Sequence, residues 1–394
     1  MEIKDYIKNE EAYLINLRRY FHEHPEESLK EFNTCKKIEE ELDKYGIEHR
    51  RVGETGVYAW INGSGTGEQK IIALRSDMDA LKMKDLKNVE YKSQNEGYCH
   101  ACGHDSHTAV LMTAAKVLNE KKSEFSGQVR LIFQPAEEIG AGARMFVKEG
   151  VLDGVGRVYG SHVLSQLESG KVAVIAGPTN ASCDHFQIKI IGKGAHVSKP
   201  HLSVDALYIA AQIIVNIQSI VSRNINPVDT VVVGIGLCNA GTAYNIVAEQ
   251  AVLEGTTRCF TPETRKYVNK RVKEIAEGIA KSYGAEAKLE FDDFAAPLIN
   301  DKKAAEEAEI IAKRILPAEN VIHDKEKSLG ADDFADYLAV TKGVYTFIGT
   351  YNPENPDTGS SHHNGHFDID EKSMLISCNL YVDYSIAYLN GEFD

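Results

Sequence analysis

Apolar and polar positions come in blocks along this chain of 394 residues. Their period switches between two and about 3.6, the spacings of strand and helix. The opening stretch reads as helices. In it Ser28-Leu29-Lys30-Glu31 has the form of a capping box, and Gly46 stands where a helix would stop. Apolar runs at 57–61 and 71–74 predict strands, the second opening into Arg75-Ser76-Asp77-Met78-Asp79. Residues 108–118 have the spacing of a buried helix. Strand, helix and strand follow at 129–133, 141–148 and 155–160. That alternation predicts a largely parallel sheet with right-handed crossovers.

After Gly177-Pro178 the pattern changes. Residues 185–191 alternate like a strand, 203–221 form a long amphipathic pattern, and 230–237 and 250–257 read as adjacent strands. A helix over 262–283 and a strand over 287–291 complete the order βαββαβ, the ferredoxin-like plan. From residue 296 the chain returns to its first domain, with a helix over 302–315. The expected architecture is α/β. A discontinuous domain with a mostly parallel central sheet (1–180 and 296–394) is interrupted by a small α+β module (181–295).

Composition fits that picture. Hydrophobic residues at 43% and charged residues at 26% are ordinary for a globular chain of two cores. A formal net charge of -14 argues against a nucleic-acid partner or an anionic membrane surface. The stretch from Met1 to Asn9 is charged and lacks a signal-peptide core, and no uncharged apolar run approaches the length of a membrane span. Seven scattered cysteines, an odd number, point to reduced thiols and a cytoplasmic location.

Metal-ligand residue types recur at the ends of the strand-like runs. They are His100-Ala101-Cys102-Gly103-His104-Asp105, Pro135-Ala136-Glu137-Glu138, His162, and the pair His362-His363. Open α/β sheets bind ligands beyond the carboxyl ends of their strands. Thiolate and imidazole at Cys102 and His104 suit zinc and related divalent metals, with Asp105 and His107 as supporting or helix-capping groups. Taken alone, that segment reads equally well as a polar helix start with a buried cysteine. Glu137 and Glu138 follow a strand at a fixed turn. Adjacent residues point in different directions, so one can bind metal while the other serves as general base. A lone His162 is more often structural. Only one of His362 and His363 is expected to be a ligand. Cys99 and Cys102 also form a CxxC, but no second CxxC exists, which leaves a redox couple as a minor reading. In the inserted module, His196, Asn245 and Arg258 each pass as ordinary loop polarity. Together they would supply donors to an oxyanion and a fork for a carboxylate.

At these residues the chain resembles the zinc-dependent aminoacylase/carboxypeptidase family of metallopeptidases. It is most similar to the amidohydrolase branch of hippurate hydrolases, auxin-conjugate hydrolases and N-acyl-diaminopimelate deacetylases. The resemblance runs nearly the whole length. It includes Arg18-Arg19-Tyr20-Phe21-His22-Glu23-His24-Pro25-Glu26, Leu74-Arg75-Ser76-Asp77-Met78-Asp79-Ala80-Leu81 and His100–Asp105. It continues through Phe133–Glu138, Lys193-Gly194-Ala195-His196 and Gly330-Ala331-Asp332-Asp333-Phe334.

The resemblance implies a two-metal site, with Cys102 as the bridging ligand and His104, Glu138, His162 and His363 completing the shells. His363 is preferred to His362 for its spacing to Phe367. Glu137 matches the general base towards a metal-activated water. His196 matches the oxyanion donor, assisted by Asn245, and Arg258 the clamp on a substrate carboxylate. The inserted module would act as a lid and would make a homodimer. Departures from the family pattern lie around the substrate pocket. Asp77 stands where the wider family often has a ligand histidine, Asn245-Ile246-Val247-Ala248 replaces Asn-Val-Ile-Pro, and Asp332 replaces a common glutamate. The expected activity is metal-dependent hydrolysis of the amide bond of N-acyl amino acids, with two zinc ions or alternatively manganese, cobalt or nickel. The alternatives are a carboxypeptidase or dipeptidase acting on short peptides, and a non-catalytic ligand-binding relative.

Overall fold

The computed structural model describes residues 3–394. Met1 and Glu2, part of the charged N-terminal stretch and of the range 1–180, lie outside the described residues. The chain divides into two compact units: Met1–Gly177, Ile299–Glu326 and Asp332–Asp394 form the first, Pro178–Leu298 and Lys327–Ala331 the second. These limits differ by a few residues from 1–180 and 296–394. The short segment Lys327–Ala331 was expected in the first unit but groups with the second. The reason is backbone pairing, since Ser328 N donates to Thr179 O (2.8 Å) and Ser328 O accepts from Ala181 N (2.9 Å).

The first unit is built on an eight-stranded sheet. Its order is Glu48–Val52, Gly56–Asn62, Gln128–Gln134, Ile71–Asp77, Arg157–Glu168, Gly343–Tyr351, Val172–Ala173, Val321–Ile322. The four strands from Gln128–Gln134 to Gly343–Tyr351 are mutually parallel. Ile71–Asp77 and Gly343–Tyr351 are buried almost throughout and Gln128–Gln134 mostly so, which explains why they read as continuous apolar runs, whereas Arg157–Glu168 is fully buried only as far as Ser161. Arg157–Glu168 runs well past Gly160, so His162 lies within this strand and not after it. No glycine or proline interrupts Ser161 to Leu167, and the chain stays extended.

Helices His104–Glu120, Ser373–Leu389, Lys302–Ile315 and Glu11–Glu23 contribute to the apolar core against the sheet. Ser373–Leu389 is apolar on most sides, buries 13 of its residues, and so carries little periodic signal.

The capping-box reading of Ser28 and Glu31 is corrected. Helix Phe32–Lys44 receives no side-chain cap from Glu31. Glu26 takes that role, its carboxylate accepting from the backbone N–H groups of Asn33 (2.9 Å) and Thr34 (2.9 Å). Ser28 and Glu31 point elsewhere.

The second unit is a four-stranded antiparallel sheet in the order Glu286–Ala295, Cys183–Ile191, Gln250–Cys259, Val231–Ala240. With helices Ala206–Ile217 and Pro262–Ser282 it realises the βαββαβ plan, and the core joins Phe186, Ile188 and Leu253 to Ile213 and Val272. Asp205 and Thr261 cap the two helices through their side chains. The helical stretch Ala206–Asn224 is 19 residues long and apolar enough, by length and composition, to cross a membrane. This revises the reading that no apolar run approaches such a length. Ile209, Ala210, Ile213 and Ile217 of this stretch are buried in the unit's own core.

Candidate metal centre

The donors of the first unit are set by the carboxyl ends of its parallel strands. Asp77 ends one strand, Glu137 and Glu138 follow another, and His362 and His363 lie in the loop after Gly343–Tyr351. Three backbone positions show how tightly this is specified. Gly103 precedes the His104 helix with φ 94, and a Cβ there would meet Val163 Cγ2 at 2.3 Å. Ala136 (φ 56) and His363 (φ 61) hold left-handed conformations without being glycine. That is unfavourable by roughly 1–2 kcal/mol for such residues.

Hydrogen bonds fix which histidine nitrogens are free. His104 Nδ1 lies 3.0 Å from the carbonyl of Asp79, and His162 Nδ1 lies 2.7 Å from the carbonyl of Val163. A carbonyl only accepts, so both Nδ1 atoms carry hydrogen and, in the neutral rings, both Nε2 atoms present a lone pair. His162 Nε2 is 3.5 Å from Cys102 Sγ, and His362 Nδ1 is 3.9 Å from the same sulfur. On the other side, His104 Nε2 is 4.0 Å from Glu138 Oε1, and His363 Nε2 is 3.4 Å from Glu138 Oε2. Two donor groups therefore share one thiol: Cys102 with His162 and His362, and Cys102 with His104 and Glu138. All five expected ligands gather here, and His362 joins them.

His107 is close but already committed. Its Nδ1 is 2.6 Å from Asp77 Oδ1 and its Nε2 accepts from Val163 N at 3.0 Å. Asp77, Asp79 and His107 thus hold the ligands in place. Deeper still, buried Arg18 bonds Asp105 and Asp368, each at 2.8 Å, and His22 bonds Asp105 at 2.6 Å. His22, Asp85 and Cys99 also converge. Lys87 lies against Asp85 (3.2 Å) and Cys99 (3.9 Å), so this cluster already holds its cation. Cys99 and Cys102 face different partners, and every cysteine is free.

Protons stand where a cation would: Asp77 and Cys102 outweigh burial and hold His104 well above its usual value, and Cys102 and Glu138 raise His363 to about 10. His104 Nε2 and Glu138 Oε1 are buried without any hydrogen-bond partner. Burial, then Asp332 and Glu138, push the Glu137 carboxyl well above its ordinary range. Burial and then Glu138 push the Cys102 thiol up. His162 is held well below its usual value by burial and by His107, and His362 falls to about 4 by burial and His107. Two neutral imidazoles thus meet a thiol beside two carboxylates. Metal binding to such a set displaces protons and relieves the crowding of acidic groups. Glu137 stands 3.9 Å from His104 Nε2 and is gathered with Asp332 and Asp333, while Glu138 faces the histidines. Arg75 anchors this acidic floor through Asp77 (2.6 Å) and Asp333 (3.0 Å).

His196, Asn245 and Arg258 all belong to the second unit. His196 is exposed, and its Nδ1 accepts from Ser198 N (3.1 Å), which leaves a hydrogen on Nε2 of the neutral ring. Val197 N donates to Asn245 O (3.1 Å), so the two segments are neighbours. Arg258 lies in the strand Gln250–Cys259, with Nη1 buried and unpartnered.

The model of peptidase family M20/M25/M40 matches residues 73–386, well over half the chain. The chain belongs to this family. It is a hydrolase, as are relatives matched along nearly its full length. It is 39% identical over 378 residues to the N-acetylcysteine deacetylase of Bacillus subtilis, covering 95% of this chain and 97% of that protein. It is 34% identical over 382 residues to the IAA-amino acid hydrolase ILR1-like 4 of Arabidopsis thaliana, covering 96% and 86%. Among solved structures, the Bacillus subtilis YXEP protein, described as a dinuclear metal binding peptidase from the M20 family, superposes with a TM-score of 0.84. That match is 36% identical and covers 97% of this chain and 99% of the other.

The M20 assignment also frames what the sequence left undetermined. Asp77 and Asp79 had no settled role, yet they aim His107 and His104. Asp77 ends its strand and Asp79 lies two residues on, both buried; the signal in the sequence was only a pair of acidic residues after an apolar run.

Proposed function

We propose that this M20 hydrolase cleaves the amide bond of N-acyl amino acids with two divalent cations held by Cys102, His104, Glu138, His162 and His363. The observation that carries this reading is the sharing of Cys102 Sγ by two donor groups, with the Glu137 carboxylate beside them. Thiolate with imidazoles favours zinc, and manganese, cobalt or nickel would also fit. When bound, such cations polarise a carbonyl and make water acidic near neutrality.

The residues divide the remaining work. Glu137 takes the proton from the attacking water and returns it to the leaving nitrogen. His196 Nε2–H suits an oxyanion, Asn245 assists, and the Arg258 guanidinium suits the free carboxylate of an amino acid.

The names of the relatives, an N-acetylcysteine deacetylase and an IAA-amino acid hydrolase, support a small N-acyl amino acid as substrate. A homodimer through the second unit fits its edge strand Val231–Ala240, with Leu237 exposed, and the exposed apolar Leu207, Tyr208 and Val215. A reducing cytoplasm fits a free thiol at the metal centre.

The test pairs Glu137→Ala with metal analysis and a panel of acetyl, benzoyl and indoleacetyl amino acids and dipeptides. The variant is expected to keep its metals and lose about two to four orders of magnitude in kcat. Near-normal turnover removes Glu137 as the base, and turnover of dipeptides alone moves the substrate class.

A further inference from the structure

Ser28 and Glu31 look like a helix cap in the sequence and cap nothing. Glu31 reaches the turn that carries Glu137 and Glu138 directly, and Ser28 reaches it through Asp79. Ser28 Oγ donates to Asp79 Oδ2 (2.7 Å), and the same oxygen accepts from the backbone N–H of Glu138 (3.1 Å). Glu31 Oε1 accepts from the backbone N–H of Ala136 (2.9 Å), 105 residues away in the chain.

Ala136 is the residue immediately before the base, and it is fully buried in a left-handed conformation. Its side chain offers nothing to favour that conformation. Its carbonyl is fixed by Ala141 N (3.1 Å) and Gly142 N (3.3 Å), and its N–H by Glu31 alone. Glu31 in turn is fully buried, and its second oxygen, Oε2, has no hydrogen-bond partner. Burial, with Asp79 adding to it, raises this carboxyl to about 7. Hydrogen bonds with its own backbone, with Thr55 and with Ala136 oppose that rise, and the one to Ala136 fixes the backbone leading into the base.

We infer that Glu31 is a positioning residue: its carboxyl holds Ala136 in the left-handed conformation and thereby aims the Glu137 carboxylate. The inference rests on Glu137 being the base. Once that holds, the geometry of a proton transfer depends on where the turn points, and small misplacements are felt in kcat more than in binding.

The decisive experiment compares Glu31→Ala, Glu31→Gln and the double variant Glu31→Ala/Ala136→Gly. Each is measured for kcat, KM, bound metal per chain and Tm on the best substrate of the panel. Glu31→Ala is expected to lower kcat by about ten- to a hundredfold while KM changes by less than about twofold. Glu31→Gln retains an accepting oxygen and should keep most of the activity. The double variant should recover most of the lost kcat, because glycine enters the left-handed region freely. A normal kcat in Glu31→Ala overturns the inference, as does a loss that glycine fails to restore. If Glu31→Ala does not fold, Glu31→Leu fills the same volume without an acceptor and is read against Glu31→Gln in the same way. Failure of the underlying reading is separately visible: Glu137→Ala would then turn over substrate, whatever Glu31 does.

Discussion

His104 and Asp79 meet through a ring nitrogen and a backbone carbonyl, 3.0 Å apart, and that contact decides which face of the imidazole is available. His107, one helical turn on, shows the opposite outcome, with both nitrogens occupied by Asp77 and Val163. The two histidines should therefore behave differently. His104→Ala is expected to remove one metal per chain. His107→Ala should keep the stoichiometry and weaken retention by about 10–100-fold, the usual cost of losing a supporting group. Metal analysis after graded dialysis against a chelator separates them, and equal stoichiometric loss in both would place His107 among the ligands.

Cys102 is common to both donor groups. Cys102→Ser should therefore depress occupancy at two positions, whereas a substitution at a one-site ligand affects mainly its own. Titration with zinc followed by competition with a chromophoric chelator reads both steps. Loss of a single step would deny the shared role.

His362 and His363 both lie beside Cys102, and His363 also reaches Glu138. If His363 is the ligand, His363→Ala loses metal and His362→Ala does not. The reverse result would assign the site to His362, whose ring already rests against Phe367 at 4.8 Å.

Stability should fall in alkaline solution because of His22. Burial pulls this imidazolium down, but Asp105 and Asp85 outweigh it and bring it to about 9. A histidine raised above its unfolded value of 6.5 contributes fully below that pH and loses the contribution as pH rises through 9. The amount is at most roughly 3 kcal/mol. Tm should drop between about pH 7 and 10, and His22→Gln should flatten that dependence. A pH-insensitive wild type would show that His22 is not charged in the folded chain.

Much of this molecule was legible in its residues. The helix over 302–315 and the inserted βαββαβ pattern are plain because their apolar faces repeat with clear periods. His162 and Ser373–Leu389 were harder. The strand through His162 is buried on both faces only as far as Ser161 and then continues through mixed polar and apolar residues, so its apolar run ends before the strand does, and a helix apolar on most sides gives no period to read. Candidate ligands were legible because cysteine, histidine and paired glutamates are chemically distinctive. The groups that aim them were not, since Glu31, Asp77 and Asp79 act through contacts between segments remote in the chain. A local pattern such as Ser28–Glu31 then invites the nearest local explanation, and a contact 105 residues away replaces it.

Arg18 grips Asp368 across 350 positions of sequence, and His363 is among the late arrivals at the centre. A ribosome making this polypeptide from its amino end would have added Cys102, His104, Glu138 and His162 long before either link can close. Nascent chains should thus carry an incomplete centre until this late segment has emerged. Premature termination before residue 363 would leave products unable to complete the centre, so metal supply matters most once that late segment has been added.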